Sequence, residues 1–305
     1  DRFRICSLTK TFTITVVLQL AEEGLLSLDE PISFFLPWVP GGDAVTARGL
    51  CNHTAGLFSY TEDPIFGEIF MADPLYRWAP EELAWLGLSH PPYFPPGTGF
   101  YYSNTHTVLL GMLVETITGN RVGDEIAARV LHPLGLAHTE FPDGPELTPP
   151  YTRAYAYLQG PDQLDDFTFF DPSAAWAAGG MTSTLPDMLV WCRALAEGFL
   201  LTPDMQRQRL TWSGFYSETG TENHTQYGLG IRWDGPLLGH TGDTVSYSVV
   251  VEYLPALRAS IVILTNTGGP HVELMEEDLV NIAFPGVLPA LRVQTGGGHP
   301  GCRPF

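Results

Sequence analysis

The hydrophobic period of this chain changes once, and that change limits the folds open to it. Up to about residue 198 the apolar positions recur at helical spacing. Phe12, Ile14, Val16, Val17 and Leu20 form one stripe between positions 7 and 23, with Gly24 as its stop. Val108, Leu109, Met112, Leu113 and Ile117 form a second between 104 and 118, closed by Gly119. Shorter helical stretches are predicted near 80–86, 122–131 and 184–198. From Tyr227 the pattern becomes short β-rich runs at 227–233, 237–241, 246–253 and 258–265, separated by Asp234-Gly235, Gly242-Asp243 and Leu254-Pro255. Consecutive strands joined by tight turns make an antiparallel sheet, and 271–284 returns to helix. The order predicts an α+β fold, an antiparallel sheet flanked by helices with a mainly helical lobe beside it. Residues 1–40 and 185–294 are assigned to the sheet lobe, 41–184 to the helical lobe and 295–305 to a disordered tail. The stretch 143–175 is turn-rich and read as irregular.

Charge excludes some partners. Thirty-four acidic residues against 15 basic ones give a net charge of -19, which argues against nucleic acid and anionic membrane surfaces. No apolar run reaches the length of a membrane span. Cys6, Cys51, Cys192 and Cys302 are widely spaced without C-x-x-C, so neither a zinc ribbon nor a disulfide scaffold is indicated, and Cys6 reads as a small buried thiol. The nine histidines lack ligand spacing, so no metal is expected. Asn52-His53-Thr54 and Asn223-His224-Thr225 match glycosylation sequons, as many chains do by chance.

Chemistry centres on Ser7-Leu8-Thr9-Lys10. Residues three apart on a helix are neighbours, so an amine stands beside a hydroxyl that is otherwise a poor nucleophile. Lys10 is the only lysine in the chain; every other basic residue is Arg. Arg substitutes for an ordinary surface Lys but not for one that must give up its proton. Two further stretches join it. Tyr102-Ser103-Asn104 sits at a loop-to-helix junction, from which Tyr102 and Asn104 can project into one cleft. Leu238-Gly239-His240-Thr241-Gly242-Asp243 ends a strand in small polar residues, leaving a backbone edge that an extended substrate can pair with.

Ser7-x-x-Lys10, Tyr102-Ser103-Asn104 and His240-Thr241-Gly242, in that order, resemble the serine β-lactamase and penicillin-binding-protein superfamily in its class C-like branch. That branch holds class C β-lactamases, D-alanyl-D-alanine carboxypeptidases, D-aminopeptidases and related esterases. Secondary signatures agree: 23–29, Asn52-His53-Thr54-Ala55-Gly56-Leu57, Pro133-Leu134-Gly135-Leu136, Ala178-Gly179-Gly180-Met181 and Tyr227-Gly228-Leu229-Gly230. The resemblance implies a β-lactamase/transpeptidase-like fold, with Ser7 as acylated nucleophile, Lys10 as its base and Tyr102 as proton shuttle. It implies that Asn104 binds the acyl-side amide, and that the backbone N–H groups of Ser7 and Asp243 form the oxyanion hole. His240, Thr241 and Gly242 would line the strand edge. Arg232 resembles an arginine of the carboxypeptidase subgroup that faces the substrate's terminal carboxylate.

Two departures stand out. Asp243 replaces the hydroxyl residue that the carboxypeptidases carry after His-Thr-Gly; it would repel a substrate carboxylate or pair with Arg232, which keeps aminopeptidase and esterase readings open. Family members also place a helix and first strands before the Ser-x-x-Lys helix, so the sequence as given, opening at Asp1, reads as starting inside the fold, with a sheet edge exposed. The expected activity is a serine hydrolase acting through an acyl-enzyme, without metal or cofactor, on a small-molecule or peptide substrate (a D-amino-acid peptide, β-lactam or ester). A D-alanyl-D-alanine carboxypeptidase-like or β-lactamase-related enzyme comes first, an esterase or D-aminopeptidase second, and a penicillin-binding sensor with little turnover is the alternative of another class. Family habit implies a periplasmic or secreted location.

Overall fold

The computed structural model describes residues 1–160, 162–213, 226–268 and 271–287; the predicted tail, Cys302 and the Asn223 sequon lie outside them. The helices are α1 (Thr9–Glu22), α2 (Ala47–Cys51), α3 (Pro64–Ala72), α4 (Pro80–Leu88), α5 (Asn104–Thr118), α6 (Val122–Ile126), α7 (His132–Leu134), α8 (Leu185–Glu197), α9 (Pro203–Arg209) and α10 (His271–Ala283). The strands are β1 (Phe3–Arg4), β2 (Tyr155–Ala156), β3 (Asp165–Asp166), β4 (Thr182–Ser183), β5 (Gln226–Tyr227), β6 (Arg232–Asp234), β7 (Leu237–Asp243), β8 (Ser248–Leu254) and β9 (Ala259–Thr265).

The meander from β5 to β9 forms one antiparallel sheet in sequence order, as the period change predicts. The predicted strand at 227–233 is instead two short ones. Gly230 turns there at φ +69, and a Cβ on Gly228 would stand 2.1 Å from the Arg209 carbonyl, so the chain folds back on itself between them. β8 is buried throughout, because alternate residues face opposite layers. Val249, Val251 and Tyr253 join the main core with Trp191 and Leu195 of α8. Val250 packs with Val272, and Leu254 with Val280, both of α10. A strand covered on both faces reads as a continuous apolar run, and Glu252 is the one charge in it.

α1 is the central helix and is buried on nearly every side. Its threonines satisfy themselves inside the protein: Thr11 donates to the Leu8 carbonyl at 2.7 Å, Thr15 to Thr11 at 2.6 Å and Thr13 to Ala177 at 2.9 Å. Phe12 stacks on Trp191 with ring centroids 4.1 Å apart. Helix ends follow their signals: Gly24, Gly119 and Gly198 all adopt positive φ, and Thr184 caps α8. α3 and α9 were not predicted, although each opens on a cap-and-proline pair, Asp63-Pro64 and Thr202-Pro203. Among the described residues no helix is long and apolar enough to cross a membrane.

Candidate active site

Ser7 sits in a single 3-10 turn, Cys6–Leu8, that feeds directly into α1. Two straps hold that turn. On one side Ile5 N–H donates to Met181 O at 3.0 Å, and β1 pairs with β4 through Phe3↔Ser183 and Arg4↔Thr182. On the other side lies β7. A Cβ on Gly242 would come within 2.7 Å of Ile5 O, 2.8 Å of Ser7 N and 2.9 Å of Cys6 Cβ, so only glycine lets the strand approach the Ser7 turn this closely. Cys6 adopts φ +52, an uncommon conformation for a residue with a side chain, at the turn that presents Ser7. Its thiol is buried against the Arg4 and Tyr247 carbonyls, and burial pushes it up to about 12. It is a buried, protonated thiol beside Ser7, as the sequence suggests.

Lys10 Nζ lies 3.0 Å from Ser7 Oγ and donates to the Ala178 carbonyl at 2.7 Å. The side chain is fully buried, and that burial pulls its ammonium from 10.5 down to about 7. At neutral pH a substantial share of Lys10 is therefore the free amine, able to accept the Ser7 proton. Tyr102 completes the group: its ring centroid lies 5.0 Å from Lys10 Nζ. Ser7, Tyr102, Tyr227, Arg232, His240, Thr241, Gly242 and Asp243 line one cavity of about 80 Å³.

The floor of the cavity is polar yet neutral. Tyr227 hydroxyl and His240 Nε2 are 2.7 Å apart. His240 Nδ1 also contacts the Thr241 carbonyl, which only accepts, so Nδ1 carries the proton and Nε2 accepts from Tyr227. Burial, with the nearby Lys10 charge, lowers His240 to about 3, so it stays neutral. Behind it Arg232 gives two hydrogen bonds to Glu252 Oε1, at 2.6 and 3.1 Å, and one to Thr241 Oγ1 at 3.4 Å. Both partners are buried, and Glu276 of α10 adds a second carboxyl there, held well above the usual carboxylate range by burial and by Glu252. The Asp243 carboxylate accepts from Ser248 Oγ at the open end of β7.

Of the nine site residues named from sequence, seven line this cavity and Lys10 lies beneath it. Asn104 does not line it: at the start of α5 its side-chain amide donates to Thr61 Oγ1 at 2.9 Å. Three participants went unassigned from sequence. Tyr227 and Ala178 stand in sequence only as members of longer signatures, and Glu252 is a lone charge inside an apolar strand, which signals a buried partner. The Asn52 sequon is buried and its Oδ1 accepts from Thr54 N and Oγ1, so it is not presented for glycosylation.

Known proteins bear on this geometry. Penicillin-binding protein 4* of Bacillus subtilis is 26% identical over 286 residues, 87% of this chain and 60% of that protein. Protein flp of Staphylococcus aureus is 27% identical over 91% of this chain and 55% of its own, so the chain spans little more than half of these curated relatives. Among solved structures, a D-stereospecific amidohydrolase from Streptomyces sp. superposes with TM-score 0.85 at 33% identity, covering 94% of this chain and 87% of that one. D-amino acid amidase from Ochrobactrum anthropi, complexed with L-phenylalanine amide, gives TM-score 0.80 at 26% identity over 93% and 83%. The Beta-lactamase family model matches residues 1–283, and with the Ser7–Lys10–Tyr102 cluster in place the chain belongs to that family of serine β-lactamases and penicillin-binding-protein relatives, with its β-lactamase/transpeptidase-like fold.

Proposed function

We propose that the protein is a serine hydrolase that forms an acyl-enzyme at Ser7 on amide or ester carbonyls whose leaving side carries no charge, amino-acid amides foremost. The observation that carries the acyl-enzyme reading is a fully buried amine, pulled to about 7, lying 3.0 Å from the serine hydroxyl. The neutral Lys10 amine takes the Ser7 proton as Oγ bonds to the carbonyl carbon. The carbonyl oxygen becomes an oxyanion held by the backbone N–H groups of Ser7 and Asp243. As the carbon–nitrogen bond breaks, Tyr102 passes a proton to the departing nitrogen and recovers one from Lys10. Water then attacks the acyl carbon through the same groups in reverse and frees Ser7. Asn104 would meet the acyl side only after exchanging its Thr61 contact for substrate.

The substrate class follows from charge. Arg232 lines the cavity but its guanidinium is already bonded to Glu252, and the Asp243 carboxylate stands at the rim. A substrate carboxylate would meet one neutralised cation and one anion, whereas an amide or ester meets neither penalty. The similarity to a D-stereospecific amidohydrolase and a D-amino acid amidase supports the same choice. The carboxypeptidase reading keeps one observation in its favour, the presence of Arg232 in the lining. Turnover of a D-amino-acid amide, a short-chain p-nitrophenyl ester, a D-Ala-D-Ala peptide and nitrocefin, run side by side, tests the assignment. The amide and ester are expected to turn over repeatedly with a transient Ser7 adduct by mass spectrometry. A peptide preferred over the amide reverses the substrate class, and a lasting penicillin adduct without release favours the sensor. No adduct on Ser7 with any of them removes the mechanism.

A further inference from the structure

His53 lies outside the cavity lining yet touches the chain on both sides of Tyr102. Its carbonyl accepts from Tyr101 N–H at 3.1 Å, and its Nδ1 accepts from Ser103 N–H at 3.3 Å. Its ring packs 4.5 Å from the Tyr102 ring, on one side of the phenol, while Lys10 Nζ lies 5.0 Å from the same ring. One residue presents its carbonyl and its ring to the same three-residue segment while held at φ +61. Such a conformation persists in a side-chain-bearing residue only where its surroundings fix it.

Those surroundings include a second histidine. His53 Nδ1 and His106 Nδ1 are 3.0 Å apart, so one of them must donate. Leu57 N–H donates to His106 Nε2 at 3.2 Å, which leaves the His106 proton on Nδ1. His106 therefore donates to His53 Nδ1, which also accepts from Ser103, and the His53 proton sits on Nε2. That Nε2 is buried with no hydrogen-bond acceptor among the described residues. The rings around it are Tyr102, Tyr227 at 4.8 Å and Phe100 at 6.3 Å, so aromatic faces are what remain to receive the N–H. Both histidines are buried and neutral: burial brings His106 to about 3, and burial with the His106 neighbour lowers His53.

We propose that His53, locked by His106, is the positioning residue of this site: it fixes the backbone on both sides of Tyr102 and the tilt of its ring, so that the phenol meets Ser7 and Lys10. The consequence for catalysis rests on the acyl-transfer reading above; the lock itself does not. It acts without charge, since a protonated imidazole could not accept from both Ser103 and His106.

Two measurements separate these. Two-bond nitrogen–proton correlation spectra of the 15N-histidine-labelled protein at pH 7 are expected to show the Nε2–H form for His53 and the Nδ1–H form for His106. A proton on His53 Nδ1, or averaging between forms, overturns the lock whether or not the protein is an enzyme. The second measurement compares hydrolysis of D-alanine amide, whose nitrogen needs a proton to leave, with p-nitrophenyl acetate, whose phenolate does not. His53→Asn is expected to lower the single-turnover rate of Ser7 acylation by the amide about 10- to 100-fold with KM within about twofold, and the p-nitrophenolate burst rate with the ester by much less, because displacement of a proton donor costs the step that uses it. In a Tyr102→Phe background the same substitution is expected to cost no more than about twofold, since residues acting as one unit are not additive. His106→Leu, which keeps His53 itself, is expected to lower the amide rate less, again only while Tyr102 is present, and it takes over the test where His53→Asn does not fold. Equal losses in both backgrounds, or equal losses on amide and ester, overturn the positioning role. If the wild-type protein hydrolyses neither compound, the functional proposal and the catalytic role of His53 both fall, and the spectra still decide the lock.

Discussion

Gly242→Ala separates the closeness of β7 to the nucleophile from the stability of the fold. The new Cβ would lie 2.7 Å from Ile5 O and 2.8 Å from Ser7 N, both main-chain atoms that cannot rotate away. Ordinary contact begins at 3.4 Å, so strand and turn must part by roughly 0.7 Å. Overpacking of this kind costs about 1–3 kcal/mol, which a domain of this size survives with a Tm lowered by some degrees. The same movement pulls the Asp243 N–H away from the Ser7 N–H, and loss of one oxyanion donor costs about 100- to 1000-fold. The variant is therefore expected to fold cooperatively yet acylate at least about 100-fold more slowly. The assay is the pre-steady-state burst of p-nitrophenolate from p-nitrophenyl acetate, with the Ser7 adduct confirmed by intact mass and Tm read in the same buffer. A burst rate within about threefold of wild type, in a variant whose Tm has fallen, would refute the claim that this approach builds the oxyanion hole.

Other outcomes follow from the buried charges. Acylation by the wild type is expected to rise with pH through an apparent pKa near 7, as Lys10 loses its proton, and Lys10→Met is expected to abolish acylation at every pH; a flat wild-type profile between pH 5 and 9 would remove Lys10 as the base. Because the folded Lys10 releases its proton below the unfolded value of 10.5, the unfolded chain binds more protons between pH 7 and that value, so wild-type stability gains on Lys10→Met as pH rises through that window; urea titrations at pH 7 and 10 compare the two. Glu276 is perturbed the opposite way: its folded form keeps the proton above 4.5, so its contribution is lost as pH rises past that value, and Glu276→Gln is expected to be more stable than wild type at pH 8 but level with it at pH 4. An equal offset at both pH values would exclude the shared-carboxyl account. The double variant Glu252→Gln/Glu276→Gln, which removes both carboxyls beside Arg232, is expected to raise the kcat/KM ratio of a D-Ala-D-Ala peptide to a D-amino-acid amide by about tenfold; an unchanged ratio would show that Arg232 does not read the substrate. Asp243→Thr is expected to move the same ratio the same way, because it removes the carboxylate at the rim.

What was legible in the sequence was local. Ser7 and Lys10 are three residues apart where a 3-10 turn runs into α1, so spacing alone puts them in contact, and the solitary lysine marks which amine matters. The meander was legible because its turns are short, and α5 because its stripe is long and ends in Gly119. The misses are long-range. Nothing near Glu252 tells that Arg232, twenty residues earlier, is its partner; that pairing exists because β6 and β8 flank β7, and Glu252 faces the same side of the sheet as α10. His53 and Tyr102 are likewise far apart in sequence, and the turn that joins them has a φ that only coordinates reveal. Asn104 differs in another way. Its place at the helix start was readable, but Thr61 competes for its amide, and competition for one donor leaves no mark in spacing.

One physical agent, loss of solvent, sets nearly every ionisable group here, and it does not by itself pick out the base. Burial keeps Cys6 protonated, Tyr227 protonated, and His240 and Lys10 inclined to neutrality. Cys6 then has no thiolate to offer, and its Sγ faces main-chain carbonyls. His240 is neutral, but its two nitrogens are taken, one giving to Thr241 and the other receiving from Tyr227. Tyr227 spends its proton on that same bond. Among these groups Lys10 combines a lowered pKa with a lone pair aimed at Ser7, because its bond to the Ala178 carbonyl uses a hydrogen and leaves the lone pair for the serine. Position therefore makes the assignment that the pKa values leave open. An arginine at position 10 would keep the positive charge and the Ala178 contact but have no lone pair at any accessible pH, which is why this chain can use Arg for every other cation and not for this one.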